Sequence, residues 1–291
     1  MGRMMSKISL IYDRIRWEEK ALIDSSRNMG LDLRLIDLKD TYVDVLSDRN
    51  KIKEIFGELS LQRCISYFRG LHITAFLENA GIHVINPFYV SLICGNKLFT
   101  TLALIKAKVP VPKTLVAFTD EGALKALDSL GYPAVLKPVV GSWGRLIALL
   151  KDRDMAQALL EAREEMHDAL LQIYYLQEYV KRPPRDIRVL TVGDEVVAAA
   201  YRYSTNGDWR TNVARGARTE PCPLTDELID LALKSSEAVG SGVLAIDCME
   251  SPEGLVVHEI NSTPEFKGLY AATGVNISEK IIRYAIKVMK K

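Results

Sequence analysis

Two carboxylates near the end of the chain have the types and spacing of a metal site. Asp247 and Glu259 each interrupt an apolar run, and Asn261 follows two residues after Glu259. Together these side chains offer only oxygen ligands, the set that Mg²⁺ prefers where it also holds phosphates. All three are therefore candidate magnesium ligands. An exposed hairpin edge with solvated acids is the alternative that needs no metal.

The two apolar runs predict a β-hairpin that brings these carboxylates together. The segment PEG at 252–254 would form a three-residue loop, with its glycine in the left-handed conformation. In that register Asp247 faces Glu259, and His258 points to the opposite face, where it would pack. Because like charges directly opposite each other destabilise a sheet, a bound cation would relieve their repulsion.

Two lysines and a glycine-rich segment have the chemistry of a phosphate site. Lys137 ends an apolar strand, and the backbone N–H groups of GSWGR at 141–145 could cover phosphate oxygens. Lys97 lies in the first turn of a predicted helix, 96–108, where the helix dipole disfavours a cation unless an anion binds there. Neither a Walker loop nor G-x-G-x-x-G occurs in the chain. A turn glycine pair and solvated lysines remain the alternative.

A local excess of positive charge follows in the segment 181–218. It contains eight Lys or Arg residues against four Asp or Glu, although the net charge of the whole chain is +1. Such an excess suits a polyanionic nucleotide and carboxylate substrates, although a solvated basic face would look the same. Directly before it, residues 177–180 end an apolar run and could offer backbone groups to an adenine edge.

Composition limits the classes of protein to consider. The 291 residues are 48% hydrophobic and 26% charged, which is typical of a globular protein. Near-neutral charge argues against bulk nucleic-acid binding, and no apolar run or signal-peptide pattern indicates a membrane or secretion. These features predict a cytoplasmic protein. The four scattered cysteines form no C-x-x-C, and reduced thiols are expected for Cys64, Cys94, Cys222 and Cys248.

Alternating strands and helices predict an α/β (α+β) fold in three parts. Strands at 7–12 and 33–38, with helical segments between strands, indicate a small parallel unit at the N-terminus. The segment RCISYF, 63–68, is predicted to continue that alternation as a strand. The chain becomes richer in strands after residue 176. The predicted domains are 1–90, 91–176 with Lys97, Lys137 and the glycine loop, and 177–291 with the metal site.

The motifs occur together and in the order of the ATP-grasp superfamily, which the chain resembles over essentially its whole length. It is most similar to the RimK-like ligases, and among them to those that attach α-aminoadipate to the small acidic carrier protein LysW. The segments that carry the resemblance are VLKPVVGSWGR, LQEYVKRPPRDIRV, TNVARG, AIDCMES and HEINSTPEFK. The resemblance implies an ATP-grasp fold with an N-terminal pre-ATP-grasp domain, and ATP and Mg²⁺ as cofactors.

The resemblance also implies roles for single residues. Mg²⁺ would be bound by Asp247, Glu259 and Asn261. Lys137 and Arg215 would be catalytic, Lys137 by offsetting phosphate charge and Arg215 by stabilising the oxyanion of a tetrahedral intermediate. The expected ATP-binding residues are Lys97, Lys137, Gly141, Ser142, Trp143, Gly144, Arg145, Gln177, Glu178, Tyr179, Val180, Arg188, Arg202 and Asn212.

The implied reaction needs no covalent bond to the protein. The carrier's C-terminal glutamate would attack the γ-phosphate of ATP, and the amine of α-aminoadipate would displace phosphate from the acyl phosphate. Glutamate as the amino acid, a bifunctional enzyme and an ATP-binding regulator without turnover remain alternatives. Relatives imply a homo-oligomer, either a dimer or a tetramer. Candidate cations for the amino acid's two carboxylates are Arg202, Arg215 and Lys267. Candidate contacts to the carrier's tail, which could equally be structural, are Arg63, Ser66 and Arg69.

Overall fold

Three sheets organise the chain. The computed structural model describes residues 7–141, 144–204 and 218–290. One sheet is parallel and the other two are antiparallel, and each has helices packed against it. The predicted mixture of helix and sheet is confirmed. All four cysteines are free thiols, in agreement with the sequence prediction.

The N-terminal sheet is parallel, as predicted, with its four strands in the order β2-β1-β3-β4. The predicted strand at 63–68 is wrong, because β3 lies just before it and α3 begins at Tyr67. Ser60 and Gln62 of β3 are buried polar residues, and Ser60 bonds Ser9 at 2.8 Å, so hydrophobicity alone does not reveal this strand. The elements are β1 Ile8–Tyr12, α1 Trp17–Asn28, β2 Arg34–Asp37, α2 Arg49–Phe56, β3 Leu59–Gln62, α3 Tyr67–Asn79 and β4 His83–Ile85.

A second, four-stranded antiparallel sheet has the order β5-β8-β6-β7. Lys137 is the last residue of β6, as the sequence indicated. The predicted domain boundary at residue 176 falls within β8, so the domain limits stay a prediction. The elements are α4 Phe88–Gly95, α5 Lys97–Lys106, β5 Thr114–Ala117, α6 Asp120–Leu130, β6 Ala134–Lys137, β7 Ala148–Leu150, α7 Arg153–Glu164 and β8 Tyr174–Glu178.

Helices α4 and α5 meet at a sharp bend that positions Lys97. The side chain of Asn96 accepts hydrogen bonds from the N–H groups of Leu98 and Phe99, which caps α5 and leaves Lys97 in its first turn. Among the described residues, no single helix is long and apolar enough to cross a membrane. Only α4 and α5, bent by 106°, pass that test as a pair.

The third sheet is antiparallel and has five strands in the order β11-β10-β9-β12-β13. Helix α10 packs Ile281 and Ile282 into a core that also contains Leu10 of β1 and Leu190 of β9. The N-terminal sheet and the five-stranded sheet therefore share one hydrophobic core. The elements are β9 Arg185–Val192, β10 Glu195–Tyr203, β11 Arg218–Pro221, α8 Asp226–Val239, β12 Val243–Ser251, β13 Gly254–Asn261, α9 Lys267–Thr273 and α10 Ile277–Met289.

The hairpin of β12 and β13 reaches the predicted pairing by a different route. Ser251 pairs with Gly254, so the loop has two residues and the three-residue loop is wrong. Gly254 does have a positive φ of 120°, but it is a strand residue. A β-bulge at His258 then shifts the register by one residue, and Asp247 faces Glu259 after all.

Candidate functional site

Three neighbouring cavities occupy the space where the three sheets meet. The lysine cavity, about 80 Å³, is lined by both predicted phosphate lysines and lies between the two antiparallel sheets. The central cavity, about 250 Å³, is lined by Lys97, Glu259 and Asn261 together with residues of the N-terminal part. The tryptophan cavity, about 260 Å³, is lined by Trp17 and the start of α9. Arg202 lines all three cavities.

The lysine cavity collects most of the residues that the sequence proposed for ATP. Arg188 and Asn261 line the central cavity instead. Four predicted residues, Ser142, Trp143, Asn212 and Arg215, lie outside the described residues. Those that line the lysine cavity are Lys97, Lys137, Gly141, Gly144, Arg145, Gln177, Glu178, Tyr179, Val180, Arg202, Asp247 and Glu259.

Lys97 joins the helix α5 to both the glycine loop and a candidate metal ligand. Its ammonium donates to the carbonyl of Gly141 at 2.8 Å and lies 3.4 Å from Oε1 of Glu259. The side chain is only 8% exposed. The carboxylate of Glu259 offsets the penalty that the helix dipole imposes on a cation in the first turn. A bound phosphate would compete with Glu259 for the same ammonium.

Lys137 is a buried cation with a neutral partner. It donates to Oε1 of Gln177 at 2.6 Å, and the amide nitrogen of Gln177 donates to the hydroxyls of Thr114 and Tyr175. These bonds fix the orientation of the Gln177 amide. Burial lowers the pKa of Lys137 to about 8, opposed by the charge of Glu259 and reinforced by that of Lys97. Anion binding would stabilise the charged ammonium.

Asp247 lies in a buried network with arginines. Arg188 donates to both carboxylate oxygens of Asp247 at 2.8 Å, and Arg202 lies 3.1 Å from Oδ2. Arg202 also donates to both oxygens of Asp186 at 2.7 Å. Burial raises the pKa of Asp247, but the two guanidiniums outweigh that effect and hold it well below its ordinary value. Asp247 is therefore ionised across the physiological pH range.

These pairs change the explanation of the opposed carboxylates. From the sequence, a bound cation would relieve the repulsion between Asp247 and Glu259. The structure supplies cations of its own, because Arg188 and Arg202 flank Asp247 and Lys97 flanks Glu259. Their opposition is therefore no evidence for a metal by itself.

The donor chemistry still fits Mg²⁺. The side chain of Asn261 makes no hydrogen bond with any residue that the structure describes, so its amide oxygen is free to bind a cation. Among the described residues, Asp247 Oδ1 accepts a hydrogen bond from Arg188 alone, which leaves one lone pair. No group of three or more His, Cys, Asp or Glu with metal-binding geometry occurs within 7–141, 144–204 and 218–290. Two carboxylates and an amide form an oxygen-only set, to which phosphates and water would add ligands.

His258 is the clearest disagreement with the sequence prediction within the cavity. Strict alternation placed it on the face opposite Glu259, but the bulge turns it into the lysine cavity beside Glu259. Neither ring nitrogen has a hydrogen-bond partner among the described residues, and Nε2 lies 4.0 Å from Asp186. Burial and the charge of Lys137 lower its pKa well below the ordinary value, so the imidazole is neutral.

Sequence reasoning also missed Asp186, which holds Arg202. The hairpin of β9 and β10 turns at Gly193 and Asp194, and a register shift near Val197 pairs Asp186 with Arg202. Counting residues back from the turn along both strands is the signal that the sequence offers. That count pairs Arg202 with Arg185 instead of Asp186 unless the bulge is known. Arg182 of the same cavity belongs to the basic segment 181–218 that the sequence singled out, whereas Met249 gave no distinct signal.

The candidate contacts to the carrier's tail mostly have structural partners. Arg63 is buried, and it donates to Glu19 at 3.1 Å and to the carbonyl of Pro264 at 2.9 Å. The hydroxyl of Ser66 caps α3. Arg69 is more than half exposed and lies 3.5 Å from Asp13. Of the three residues, Arg69 is exposed, Ser66 is half-buried and Arg63 is buried.

Comparison with known proteins agrees with this geometry. Residues 94–285 match the model of the RimK-like ATP-grasp domain, and residues 8–93 match that of the LysX preATP-grasp domain. The α-aminoadipate–LysW ligase LysX of Sulfurisphaera tokodaii is 40% identical, with 98% of this chain and 99% of the relative covered. The glutamate–LysW ligase ArgX of the same organism is 33% identical, with 96% and 97% covered.

Solved structures share the fold. An ATP-grasp protein with a RimK domain from Sphaerobacter thermophilus has a TM-score of 0.77 at 22% identity, with 96% of this chain and 99% of that chain covered. At that identity the likeness bears on the fold alone. The match to the family model and the sequence identity to the LysW ligases show common ancestry. The chain belongs to the RimK-like ATP-grasp family.

Proposed function

We propose that this chain is an ADP-forming ligase that joins the amino group of α-aminoadipate to the side-chain carboxylate of the C-terminal glutamate of LysW. One observation carries the ATP-dependent part, namely the meeting of two buried lysines and two opposed carboxylates in one cavity. The higher identity to the α-aminoadipate ligase, 40% against 33% for the glutamate ligase, favours the amino acid. Lysine biosynthesis in the cytoplasm is the setting that follows.

The lysine cavity is the proposed ATP site. Lys97 and Lys137 would bind phosphate oxygens, each in exchange for a protein partner, Glu259 and Gln177 respectively. The backbone of 177–180, together with the wall around Val135 and Met249, would hold the adenine ring. Mg²⁺ held by Asp247, Glu259 and Asn261 would supply charge neutralisation at the phosphates. The remaining predicted ATP contacts, including Asn212, stay proposals.

The reaction then balances without a covalent enzyme intermediate. An oxygen of the carrier's glutamate bonds to the γ-phosphorus as the bond from that phosphorus to ADP breaks. The amine of α-aminoadipate attacks the acyl carbon, loses a proton, and expels inorganic phosphate. The protein's part is to bring these groups together and offset their charge. We assign stabilisation of the tetrahedral oxyanion to Arg215.

The direct test is the mass of the carrier after reaction. Purified LysW is incubated with the enzyme, ATP and Mg²⁺, and with α-aminoadipate, glutamate or neither. We expect one α-aminoadipate residue to be added, with one ADP released per modified carrier. An unchanged carrier mass with every acidic amino acid would refute a ligase that uses this carrier.

A glutamate–LysW ligase, or an enzyme that uses both amino acids, is the second candidate. It is favoured by the ArgX relative, which aligns over nearly the whole chain at 33% identity. Product masses with each amino acid separate these candidates. An ATP-binding regulator is the third, and carrier-dependent ADP release would exclude it. The homo-oligomeric state, dimer or tetramer, remains a prediction to be measured by light scattering.

A further inference from the structure

The tryptophan cavity has no role in the ATP site described above. It shares four residues with the central cavity, Arg16, Arg188, Arg202 and Glu265, but only Arg202 with the lysine cavity. It is therefore a neighbour of the central cavity and lies on its far side from the nucleotide. At about 260 Å³ it is close to the lower end of the range for small-molecule sites, about 300–1,000 Å³.

The two reacting groups must reach the site from different cavities. One is the carrier's carboxylate, which is phosphorylated, and the other is the amine, which attacks the resulting acyl phosphate. The central cavity is lined by Lys97, Glu259 and Asn261, to which the proposed function assigns the binding of phosphate and Mg²⁺. The carboxylate that attacks the γ-phosphate must therefore enter the central cavity. An amine that attacks the resulting acyl group has to approach from an adjoining space, and the tryptophan cavity adjoins it at Arg188 and Arg202.

The arginines around the tryptophan cavity have partners within the protein. Arg16 is paired with Glu19 at 2.9 Å and with Glu265 at 3.1 Å. Arg188 is paired with Asp247, and Arg202 is held by Asp186.

Lys267 differs from these arginines. Its ammonium makes no ion pair or hydrogen bond with any residue in the described part of the chain. The nearby Glu18 carboxylate accepts from the backbone N–H groups of Phe266 and Lys267 instead. The cavity wall thus offers one exposed cation that these contacts leave without an anion.

Part of the wall is apolar and suits a short alkyl chain, although Glu18, Thr219 and Glu265 also line the cavity. Leu269 and Ala200 are 3% and 1% exposed, and both line the cavity. The indole of Trp17 is held in place by contacts with Phe266 and Tyr270, at centroid distances of 5.8 and 5.4 Å. An apolar wall beside an unpaired ammonium matches a ligand whose methylene chain ends in a carboxylate.

We propose that the tryptophan cavity binds the amino-acid substrate and that Lys267 binds its distal carboxylate. This inference rests on the proposed function. The α-carboxylate lies at the junction with the central cavity, beside Arg188 and Arg202, so that the α-amino group adjoins the space where the carrier's acyl group is formed. Glutamate is one methylene shorter, so its distal carboxylate reaches Lys267 less well. A difference of one methylene supports a preference of about 10- to 200-fold.

A substrate-by-variant cycle tests the role of Lys267. The kcat/KM values of wild type and Lys267→Met are compared for α-aminoadipate and for 2-aminohexanoate, which has the same chain without the distal carboxylate. We expect wild type to prefer α-aminoadipate by at least the factor of one charged hydrogen bond, about 10- to 150-fold. In Lys267→Met this preference falls to within about threefold, and Lys267→Arg restores part of it. The KM for ATP stays unchanged in both variants.

Lys125→Met, at an exposed lysine of α6, is the matched control and keeps the wild-type preference. A preference that persists in Lys267→Met would overturn the assignment of Lys267 while leaving the ligase function in place. If the wild-type enzyme attaches none of the acidic amino acids to the carrier, the proposed function is overturned, and the substrate site with it. A changed KM for ATP in Lys267→Met would also contradict a site separate from the nucleotide.

Discussion

Two buried arginine–carboxylate networks cross this molecule, and they differ in what their charges contact. In the N-terminal network, Glu19 accepts bonds from Arg16 and Arg63, and Arg63 donates to the backbone of Pro264. Neither Glu19 nor Arg63 lines any of the three cavities. This network ties α1 and the end of β3 to the segment before α9. Its central pair, Glu19 and Arg63, faces the protein interior, and Arg16 at its edge lines the central and tryptophan cavities.

The central network has the same chemistry but faces ligand space. Asp186, Arg202, Asp247 and Arg188 form a chain of paired charges, and Arg202 lines all three cavities. Two anions balance two cations there without any ligand. Burial and pairing alone therefore do not distinguish a structural network from one at a ligand site. The distinguishing feature is that Arg202 and Asp247 line cavities, whereas Glu19 and Arg63 do not.

The largest effect is expected from breaking the N-terminal network. Glu19→Gln leaves the buried Arg63 without its carboxylate partner and the half-buried Arg16 with one partner fewer. Losing one partner of a buried pair costs about 3–5 kcal/mol. Tm should fall by on the order of 10 °C in thermal unfolding. At a temperature where the variant is folded, kcat should stay within about threefold of wild type, since Arg16 keeps its pair with Glu265.

The control for that variant is Glu195→Gln, which removes an exposed ion pair with Lys280. An exposed pair contributes at most about 1 kcal/mol, so Tm should hardly change. Equal melting of Glu19→Gln and Glu195→Gln would mean that the N-terminal network does not stabilise the fold.

Substitutions of the candidate metal ligands should lower turnover more than stability, the opposite of Glu19→Gln. Glu259→Gln removes a candidate metal ligand that is paired only with Lys97 among the described residues, so stability should be nearly unchanged. Turnover should fall at least about 100-fold, as for other losses of charge stabilisation at a transferring group. Asp247→Asn should lose turnover to a similar extent and also melt lower, because Arg188 and Arg202 lose a charged partner. Normal ADP release by Glu259→Gln at saturating Mg²⁺ would refute the metal assignment.

Lys137 provides a smaller effect with a pH signature. The proposed hydrogen bond from its ammonium to phosphate would contribute about 1.5–3 kcal/mol, so Lys137→Gln should weaken binding of a non-hydrolysable ATP analogue about 10- to 150-fold at pH 7. The pKa of about 8 in the free protein means that affinity is full below pH 8. Above it, affinity should fall by up to about tenfold per pH unit, since binding must take up a proton.

Lys137→Arg is the matched variant for that profile, because arginine stays charged over the whole range. Its affinity for the analogue, measured by calorimetry from pH 7 to 9.5, should lack the decline above pH 8. A wild-type profile as flat as that of Lys137→Arg would show that Lys137 does not bind phosphate.

Sequence reasoning succeeded where residue type and local position carry the chemistry. Lys137 at a strand end and Lys97 in a first helical turn are both visible in short stretches of chain. The pairing of Asp247 with Glu259 was predicted correctly only because the error in loop length and the unforeseen bulge, one residue each, cancel. It failed where one residue of register matters. The bulge at His258 is a single extra residue in a strand, and no propensity marks it, yet it turns the imidazole into the cavity.

Long-range partners were the second limit. Arg63 resembles a binding residue until Glu19, 44 positions away, is seen to accept its hydrogen bond. In the same way β3 was misplaced because its buried Ser60 is satisfied by Ser9 of a neighbouring strand. A polar residue is predicted to be exposed unless its partner is known, and the partner is set by the fold.

The choice of amino acid is the central claim of this account, and competition tests it most directly. α-Aminoadipate and glutamate are supplied at equal concentration with ATP, Mg²⁺ and LysW, and the two carrier products are counted by mass. The ratio of products gives the ratio of kcat/KM values. We predict that the α-aminoadipate product exceeds the glutamate product by about 10- to 200-fold, the range that one methylene supports. A glutamate product in excess would contradict the account, and equal amounts would make this a bifunctional ligase.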